Sequence, residues 1–369
     1  MVNLFKKSKL KQAQDKVQAA INITNIKIED LGKHTGDLYK SLTAIGDLFD
    51  KIKNVPREKM AQYENLKEAR SDWKEQAEKI ETDYNKVAKR NLGGGAAGAG
   101  LGIAVVTMGP TAAMGIATTF GLASTGTAIS TLSGAAATNA ALAWLGGGVL
   151  VSGGGGMAAG NAFLSMAGPV GWAIAAISLV ASGLLLWKNS GDKKRLENLF
   201  ITISNRDVKS YELAIIEIIE RINRIIYETN KLNEAITLIK SFGLDYNIMT
   251  EKQKYTLGSY VNLMNSSTQL LTNPIINLEP KFTEVDFDTF INSKTINMKA
   301  SLCNDNKALI ISLANLLYKI EIDEETKILL WKSLKKNKEM LKSMGISKKE
   351  LDIDLMNIVS EALEFIYQN

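Results

Sequence analysis

The sequence contains one cysteine and one histidine in 369 residues. Cys303 therefore has no partner for an intrachain disulfide, and no feature of the sequence requires an oxidising compartment. His34 cannot belong to a multi-histidine metal site, and its place within a helical repeat indicates an ordinary surface histidine. The formal net charge of +5 is too small to indicate nucleic-acid binding. These counts favour synthesis in a reducing cytosol.

A signal peptide is also missing from the start of the sequence, MVNLFKKSKLKQAQDK. Basic residues lie close to the N-terminus, but no apolar h-region follows them. We therefore expect synthesis in the cytoplasm, with any secretion following a non-classical route.

The most informative absence is confined to residues 91–187, which contain no Asp, Glu, Lys, Arg or His. The same residues hold 22 of the 29 glycines. Charged residues make up about a quarter of a typical soluble chain, so a protein core of this length rarely excludes them completely. A bilayer does so directly, because a charge at its centre costs ~2.5–3.5 kcal/mol. Lipid and a Gly/Ala-rich protein core are the two explanations to compare.

The residues before this segment have the heptad spacing of amphipathic helices. The first apolar stripe consists of Leu10, Val17, Thr24, Leu31, Leu38, Ile45 and Ile52. Gly32, Gly36 and Gly46 have low helix propensity and predict a bent or interrupted rod. Pro56 predicts a break. A second stripe contains Leu66, Trp73, Ile80 and Val87, supported by Tyr63, Ala77 and Tyr84. Packing of these stripes within the chain is a more economical explanation than a separate coiled-coil partner.

Helical periodicity resumes after Trp187 and continues to a predicted end at Gly243. Thr250 and Gln253 form a capping-box pattern that predicts another helix, which ends before Pro274. Residues 280–293 have the composition of a connecting loop or a short strand. Further helices are predicted for residues 307–320, for 324–343 with an end at Gly345, and from the Ser347/Glu350 capping box to the C-terminus. The predicted fold is all-α: an elongated bundle of long amphipathic helices with an inserted Gly/Ala-rich apolar hairpin. Its three parts are residues 1–90, 91–187 and 188–369.

Two stretches of the uncharged segment are long enough to cross a bilayer. The stronger is residues 163–187, whose 25 residues would extend about 37 Å as a helix across a ~30 Å hydrocarbon layer. The other is residues 101–122, which contain Gly109 and Pro110. Residues 135–151 are a weaker candidate. Trp187 and Lys188 have the position of an interfacial anchor, while Trp172 and Trp187 fit an interfacial belt and a protein core equally well.

Basic residues flank the segment on both sides, as Lys86, Lys89 and Arg90 before it and as Lys188, Lys193, Lys194 and Arg195 after it. If basic flanks mark the side that does not cross, both ends lie on the same face of the membrane. The number of crossings is then even, and a two-helix hairpin is more economical than four crossings.

Small residues recur every four positions within the segment, a pattern that lets helix backbones approach closely in lipid. The pattern occurs at Gly94, Gly98 and Gly102, and again at Ser152, Gly156 and Gly160. The residues expected to enter the bilayer are these glycines together with Phe163, Trp172, Ala176, Leu185 and Trp187.

Sequence signatures of catalysis or cofactor binding are missing. The run GGGAAGAGLG does not satisfy the G-x-G-x-x-G pattern, and no G-K-[ST] follows it. Cys303 has no histidine near it in sequence and is predicted to be a partly buried thiol. Asp323, Glu324 and Glu325 fit the first turn of a helix better than a catalytic carboxylate pair. We predict no enzymatic activity, no cofactor and no metal.

The order of a helical arm, a long Gly/Ala-rich uncharged segment and a helical body resembles the α-helical pore-forming toxins of the cytolysin A and haemolysin BL kind. It is also similar to apolipoprotein L and its bacterial relatives. The stretch of sequence that carries the resemblance most distinctly is residues 141–172, ALAWLGGGVLVSGGGGMAAGNAFLSMAGPVGW. The resemblance implies a bundle of long helices that holds an apolar hairpin.

The resulting expectation is a membrane-active protein that shelters residues 91–187 and then inserts them into a lipid bilayer. Pore formation by a homo-oligomer, or together with a second helical component, would follow. Two alternatives remain: a constitutive membrane-anchored scaffold, and a soluble helical protein-interaction module with a Gly/Ala-rich core.

Overall fold

The computed structural model describes residues 8–93, 109–121, 189–279, 281–293, 302–303, 306–336, 348 and 351–368. Helices account for 85% of them, and no β-strand occurs within these ranges, so the predicted all-α class is confirmed. The helices in these ranges are α1 (Lys9–Phe49), α2 (Arg57–Gly93), α3 (Pro110–Phe120), α4 (Ser190–Lys240), α5 (Glu251–Thr272), α6 (Glu284–Ser293), α7 (Lys307–Leu317), α8 (Glu324–Lys336) and α9 (Asp354–Gln368).

The heptad stripe of α1 is buried along its whole length. All seven predicted positions from Leu10 to Ile52 are less than 10% exposed, and Leu31, Leu38 and Ile45 are fully buried. The helix is continuous over 41 residues, so of the predicted bend or interruption at its glycines the interruption does not occur. Packing against neighbouring helices outweighs the low helix propensity of glycine.

The second stripe also forms a helix, since α2 begins at the residue after Pro56. Tyr63, Leu66, Trp73, Ala77 and Ile80 are buried on one face of α2, as their spacing predicts. The helical periodicity after Trp187 corresponds to α4, a single helix of 51 residues. Gly243, beyond the end of α4, has a φ of 82°.

The predicted capping box is confirmed at the start of α5, and the start of α8 also has a side-chain cap. Thr250 Oγ1 accepts a hydrogen bond from the Gln253 backbone N at 3.3 Å, and Gln253 Oε1 accepts from the Thr250 backbone N at 2.8 Å, which opens α5. Asp323 Oδ1 accepts from the Thr326 backbone N at 2.8 Å at the start of α8.

Residues 284–293 form helix α6, so the predicted loop or strand over this stretch is wrong. A reciprocal cap starts the helix: the Asp286 backbone N donates to Thr283 Oγ1 at 3.1 Å, and the Thr283 backbone N donates to Asp286 Oδ2 at 2.7 Å. Phe287 and Phe290 are buried on one face of α6. Their three-residue spacing is helical, and together with the cap it outweighs the β-propensity of the aromatic residues.

The contacts divide the chain into two compact units. Unit 1 contains described residues 8–23, those from 189 to Leu213, and those from Leu278 onward; unit 2 contains those from Thr24 to 121 and Ala214–Asn277. Each unit therefore combines residues from both sides of the uncharged segment. The two units defined by contacts therefore have different boundaries from the three parts defined by composition, residues 1–90, 91–187 and 188–369.

The core of unit 1 is built from residues of α1, α4 and α6–α9. It includes Leu10, Leu196, Phe200, Ile203, Phe282, Phe287, Leu313, Leu330, Leu355 and Val359. Arg206 of α4 caps the C-terminus of α7. Its Nη1 donates to the carbonyl oxygens of Leu316 at 2.9 Å and Tyr318 at 2.7 Å. A cation near unpaired carbonyls at a helix C-terminus is stabilising.

Unit 2 contains a parallel pair made by α1 and α4. Ser41 Oγ donates to Asn233 Oδ1 at 3.0 Å, and Lys53 forms an isolated parallel bridge with Asp245. Both pairs are 192 residues apart in sequence, so the two helices run in the same direction in register. Helices α2, α3 and α5 pack against one another within the same unit.

Candidate functional site

Helix α3 is the main described part of the uncharged segment, of which residues 91–93 at the end of α2 are described as well. It spans Pro110–Phe120, and seven of its eleven residues are buried, from Ala112 and Ala113 to Gly115–Thr119. Pro110 is the first helical residue, a position that needs no backbone N–H. The predicted span over residues 101–122 is thus not a helix that passes through Gly109 and Pro110, because the helix starts there. The remaining residues of that span lie outside the described ones.

Helix α1 crosses α3 at a point where both helices have glycine. A Cβ on Gly32 would overlap Thr111 O and would lie 2.8 Å from Gly115 N. A Cβ on Gly115 would overlap Ile28 O. Only two residues without side chains allow backbones to come this close. Close packing by small residues, predicted for the uncharged segment within a membrane, occurs here between that segment and the helical body.

The C-terminal end of α3 is fixed by the loop after α5, residues 273–277. The Ile275 backbone N donates to Thr119 O at 2.8 Å. Gly121 ends α3 with a φ of 68°, and a Cβ there would lie 2.6 Å from Pro274 N. Gly121 is therefore required both by its left-handed conformation and by the space available.

Helix α4 holds this loop in turn. Glu217 Oε1 accepts from the Ile276 backbone N at 3.0 Å, and its Oε2 accepts from the Asn277 backbone N at 3.2 Å. Arg221 donates to the carbonyl oxygens of Asn273 at 2.7 Å and of Pro274 at 3.2 Å. Two charged side chains of α4 thus order the loop that retains the end of α3.

Helix α2 packs against α3. Its buried face carries Arg70 and Trp73, which are 5% and 0% exposed. Arg70 Nη1, Trp73 Nε1 and Thr118 Oγ1 of α3 have no hydrogen-bond partner among the described residues. Burial lowers the pKa of Arg70. A buried polar group without a partner costs roughly 1–3 kcal/mol, so the Thr118 hydroxyl of α3 is a group that water would satisfy on opening. Arg70 lies beside Gly46 of α1.

Arg195 is the predicted flanking cation that the structure places most clearly. Its Nη1 lies 2.6 Å from an Asp323 carboxylate oxygen, and its Nη2 lies 2.6 Å from a Glu325 carboxylate oxygen. Lys193 lies 3.9 Å from Glu197, and Lys194 is exposed. In this structure Arg195 therefore pairs with the start of α8.

The other predicted site residues are placed only in part. The backbone of Lys86, Lys89 and Arg90 belongs to the last turns of α2. The rest lie outside the described residues: Gly94, Gly98, Gly102, Gly156, Gly160, Phe163, Trp172, Ala176, Leu185, Trp187 and Lys188.

Within the described ranges, no helix has both the length and the apolar character to cross a membrane. No group of His, Cys, Asp or Glu among the same residues has an arrangement that would hold a metal ion. His34 Nε2 lies 3.8 Å from an Asp30 carboxylate oxygen on the surface of α1. Cys303 is buried, and burial raises the pKa of its thiol. A raised thiol pKa reduces nucleophilic reactivity.

The chain matches no protein-family model, no curated protein and no solved structure. The resemblance to helical toxins and to apolipoprotein L therefore depends on the order of segments alone and stays a prediction.

Proposed function

We propose that this protein is a non-enzymatic, membrane-active helical protein that holds its uncharged segment against its own helices and transfers it to a lipid bilayer. The observation that supports this most directly is the close packing of α3 against the other helices of unit 2. Eleven residues of the uncharged segment are held by α1, α2 and the loop after α5 in a fitted site, whereas the segment as a whole has the composition of a membrane hairpin. Oligomerisation into a pore is the proposed outcome of insertion.

The physical basis is that the uncharged segment can leave water in two ways, by packing in the helical body or by entering lipid. Apolar surface is stabilised by about 25 cal/mol per Å² on leaving water, and both the helical body and lipid provide that stabilisation. The unpartnered Thr118 hydroxyl shifts the balance toward opening, because it gains hydrogen bonds to water when α3 leaves. Release of α3 is thus the step that commits the segment to lipid.

A reversible cross-link tests this step. A Cβ on Gly36 would lie 3.2 Å from Met114 Sδ, so these two positions are neighbours across the contact between α1 and α3. Cysteines are introduced at both, and formation of the disulfide is verified by the loss of free thiols before the assay. The double variant Gly36→Cys/Met114→Cys, in a Cys303→Ala background, is mixed with vesicles that contain a self-quenched dye. We expect little leakage from the oxidised protein and full leakage after reduction.

The single variants Gly36→Cys and Met114→Cys are the controls, since neither can form the intramolecular bond. Leakage from the oxidised double variant at the rate of the reduced protein would show that α3 need not be released. Asp substitutions at Ala176 and Gly156 test the rest of the segment, and undiminished leakage from both would contradict its insertion.

The burial of α3 also favours one alternative, a soluble helical interaction module with a Gly/Ala-rich core. This alternative predicts a monodisperse protein that neither sediments with vesicles nor releases dye from them, whether the α1–α3 disulfide is oxidised or reduced. The leakage and sedimentation assays therefore separate the two functions.

A further inference from the structure

Two turns of unit 2 are joined side by side and form one end of that unit. The first, residues 50–56, connects α1 to α2, and the second, residues 241–250, connects α4 to α5. The Lys53 backbone N donates to Leu244 O at 2.9 Å, and the Tyr246 backbone N donates to Lys53 O at 3.0 Å. Asn54 Nδ2 donates to Asp245 Oδ1 at 2.9 Å. We call residues 50–56 and 241–250, with the first turn of α5, the paired turns.

The paired turns expose large apolar side chains. Tyr246 and Met249 are buried and anchor the 3₁₀ turn Tyr246–Ile248, whereas Ile248 between them is 76% exposed. Leu244 is 45% exposed, and Tyr255 in α5 is 81% exposed. The backbone hydrogen bonds keep Ile248 directed outward, so it does not turn into the core.

The acidic side chains of the paired turns have partners within the protein. Asp50 accepts from the Tyr63 hydroxyl at 2.8 Å and from Lys67 Nζ at 3.1 Å. The hydrogen bond from Asn54 and a second one from the backbone of the turn lower the pKa of Asp245. Glu251 lies 2.9 Å from Lys254. These carboxylates are thus held in contacts of the protein itself.

Three lysines are exposed in the same region, and the charge of Lys53 also helps to lower the pKa of Asp245. Lys51 and Lys53 belong to the first turn, and Lys252 belongs to the first turn of α5. None of them has an ion pair within 4 Å among the described residues. The paired turns therefore present unpaired positive charges next to exposed apolar groups.

We propose that the paired turns are the surface by which this protein first docks on an anionic lipid bilayer. The lysine ammonium groups would contact lipid phosphates and carboxylates, while Ile248, Leu244 and Tyr255 would enter the boundary between headgroups and acyl chains. Basic residues next to aliphatic and aromatic ones are what this boundary binds. The inference rests on the proposed function in placing the protein at a membrane, but its readout is binding and not leakage.

The test is sedimentation with vesicles of phosphatidylcholine alone or with added phosphatidylserine. Each lysine near an anionic surface changes the partition coefficient about fivefold, so Lys51→Gln/Lys53→Gln/Lys252→Gln should weaken binding on the order of a hundredfold. Ile248→Ser should weaken it about tenfold. Wild-type protein should bind the anionic vesicles far more tightly than the neutral ones.

The matched controls are Lys16→Gln/Lys33→Gln/Lys79→Gln, which removes the same charge from exposed lysines of α1 and α2, and Ile216→Ser, at an exposed isoleucine of α4. Lys33 is 16 residues before the end of α1 at Phe49, roughly 24 Å along the helix, which is beyond the Debye length of ~8 Å at physiological salt. Equal binding by the paired-turn variants and their controls, or by neutral and anionic vesicles, would overturn the proposal.

The two proposals fail in different ways. Binding should also be measured with the oxidised α1–α3 disulfide variant, which keeps α3 in place. Binding that depends on the paired turns, without leakage from any reduced protein, would support docking and contradict insertion. Leakage that is unchanged in the paired-turn variants would support insertion and contradict docking.

Discussion

Replacing Gly32 with alanine tests whether the packing of α3 depends on the close approach of the α1 and α3 backbones. The new Cβ would overlap Thr111 O and would lie 2.8 Å from Gly115 N and 2.9 Å from Thr111 C. These are backbone atoms and cannot rotate away, so α3 has to shift. Overpacking of this kind costs about 3 kcal/mol at the upper end of its usual range.

The same substitution also improves helix propensity, which offsets about 1 kcal/mol of that cost. The expected net loss is therefore about 2 kcal/mol in the free energy that holds α3. Gly36→Ala is the matched control one turn further along α1, because its Cβ meets only the flexible end of Met114, at 3.2 Å. We expect this control to be neutral or slightly stabilised.

Hydrogen exchange read by mass spectrometry measures the opening of α3 directly. A loss of about 2 kcal/mol should make the α3 amides exchange roughly thirtyfold faster in the Gly32→Ala variant. Dye release from vesicles should become faster in the same variant. Equal exchange of the α3 amides in the two variants would refute the close crossing as the contact that retains α3.

Three further predictions concern other contacts. Removing the side chain of Glu217 should weaken the loop after α5 by about 1 kcal/mol and speed exchange at the end of α3, because three hydrogen bonds to Ile276 and Asn277 are lost. Gly258→Ala should raise the melting temperature by about 2–4 °C, since no atom lies within 4 Å of the new Cβ. Burial raises the pKa of Asp207, so the folded protein binds this proton more tightly than the unfolded chain, and the stability contribution of Asp207 falls as pH rises through the raised pKa. The melting temperature of Asp207→Asn relative to wild type should therefore increase between pH 4 and pH 7, and a constant or decreasing difference would contradict this reasoning.

The amphipathic helices could be predicted from the sequence because their signals are local. Heptad spacing identified the buried stripe of α1, and the Thr250 capping box identified the start of α5. The sequence did not indicate helix α6, because the Thr283/Asp286 cap lies beside two phenylalanines whose β-propensity favours a strand. Short-range patterns succeed when their own residues determine the structure.

The candidate site could not be predicted to the same extent, because it depends on contacts between distant residues. The glycines of α1 indicate a weak helix in isolation, and only the position of α3 shows what they permit. Arg195 has the composition of a membrane flank, yet its acidic partners lie about 130 positions further along the chain. A segment without charge can be buried in lipid or in a protein core, so its composition alone does not determine its first location.

The parallel pairing of α1 with α4 has a consequence for folding during synthesis on the ribosome. Ser41 contacts Asn233, so 192 further residues are synthesised before this neighbour of α1 exists. At about 5–20 residues per second, that interval is roughly 10–40 s. Until then, of the described helices only α2 and α3 are available, beside a chaperone, to cover the apolar stripe of α1. The nascent chain is thus exposed to aggregation for much of its own synthesis.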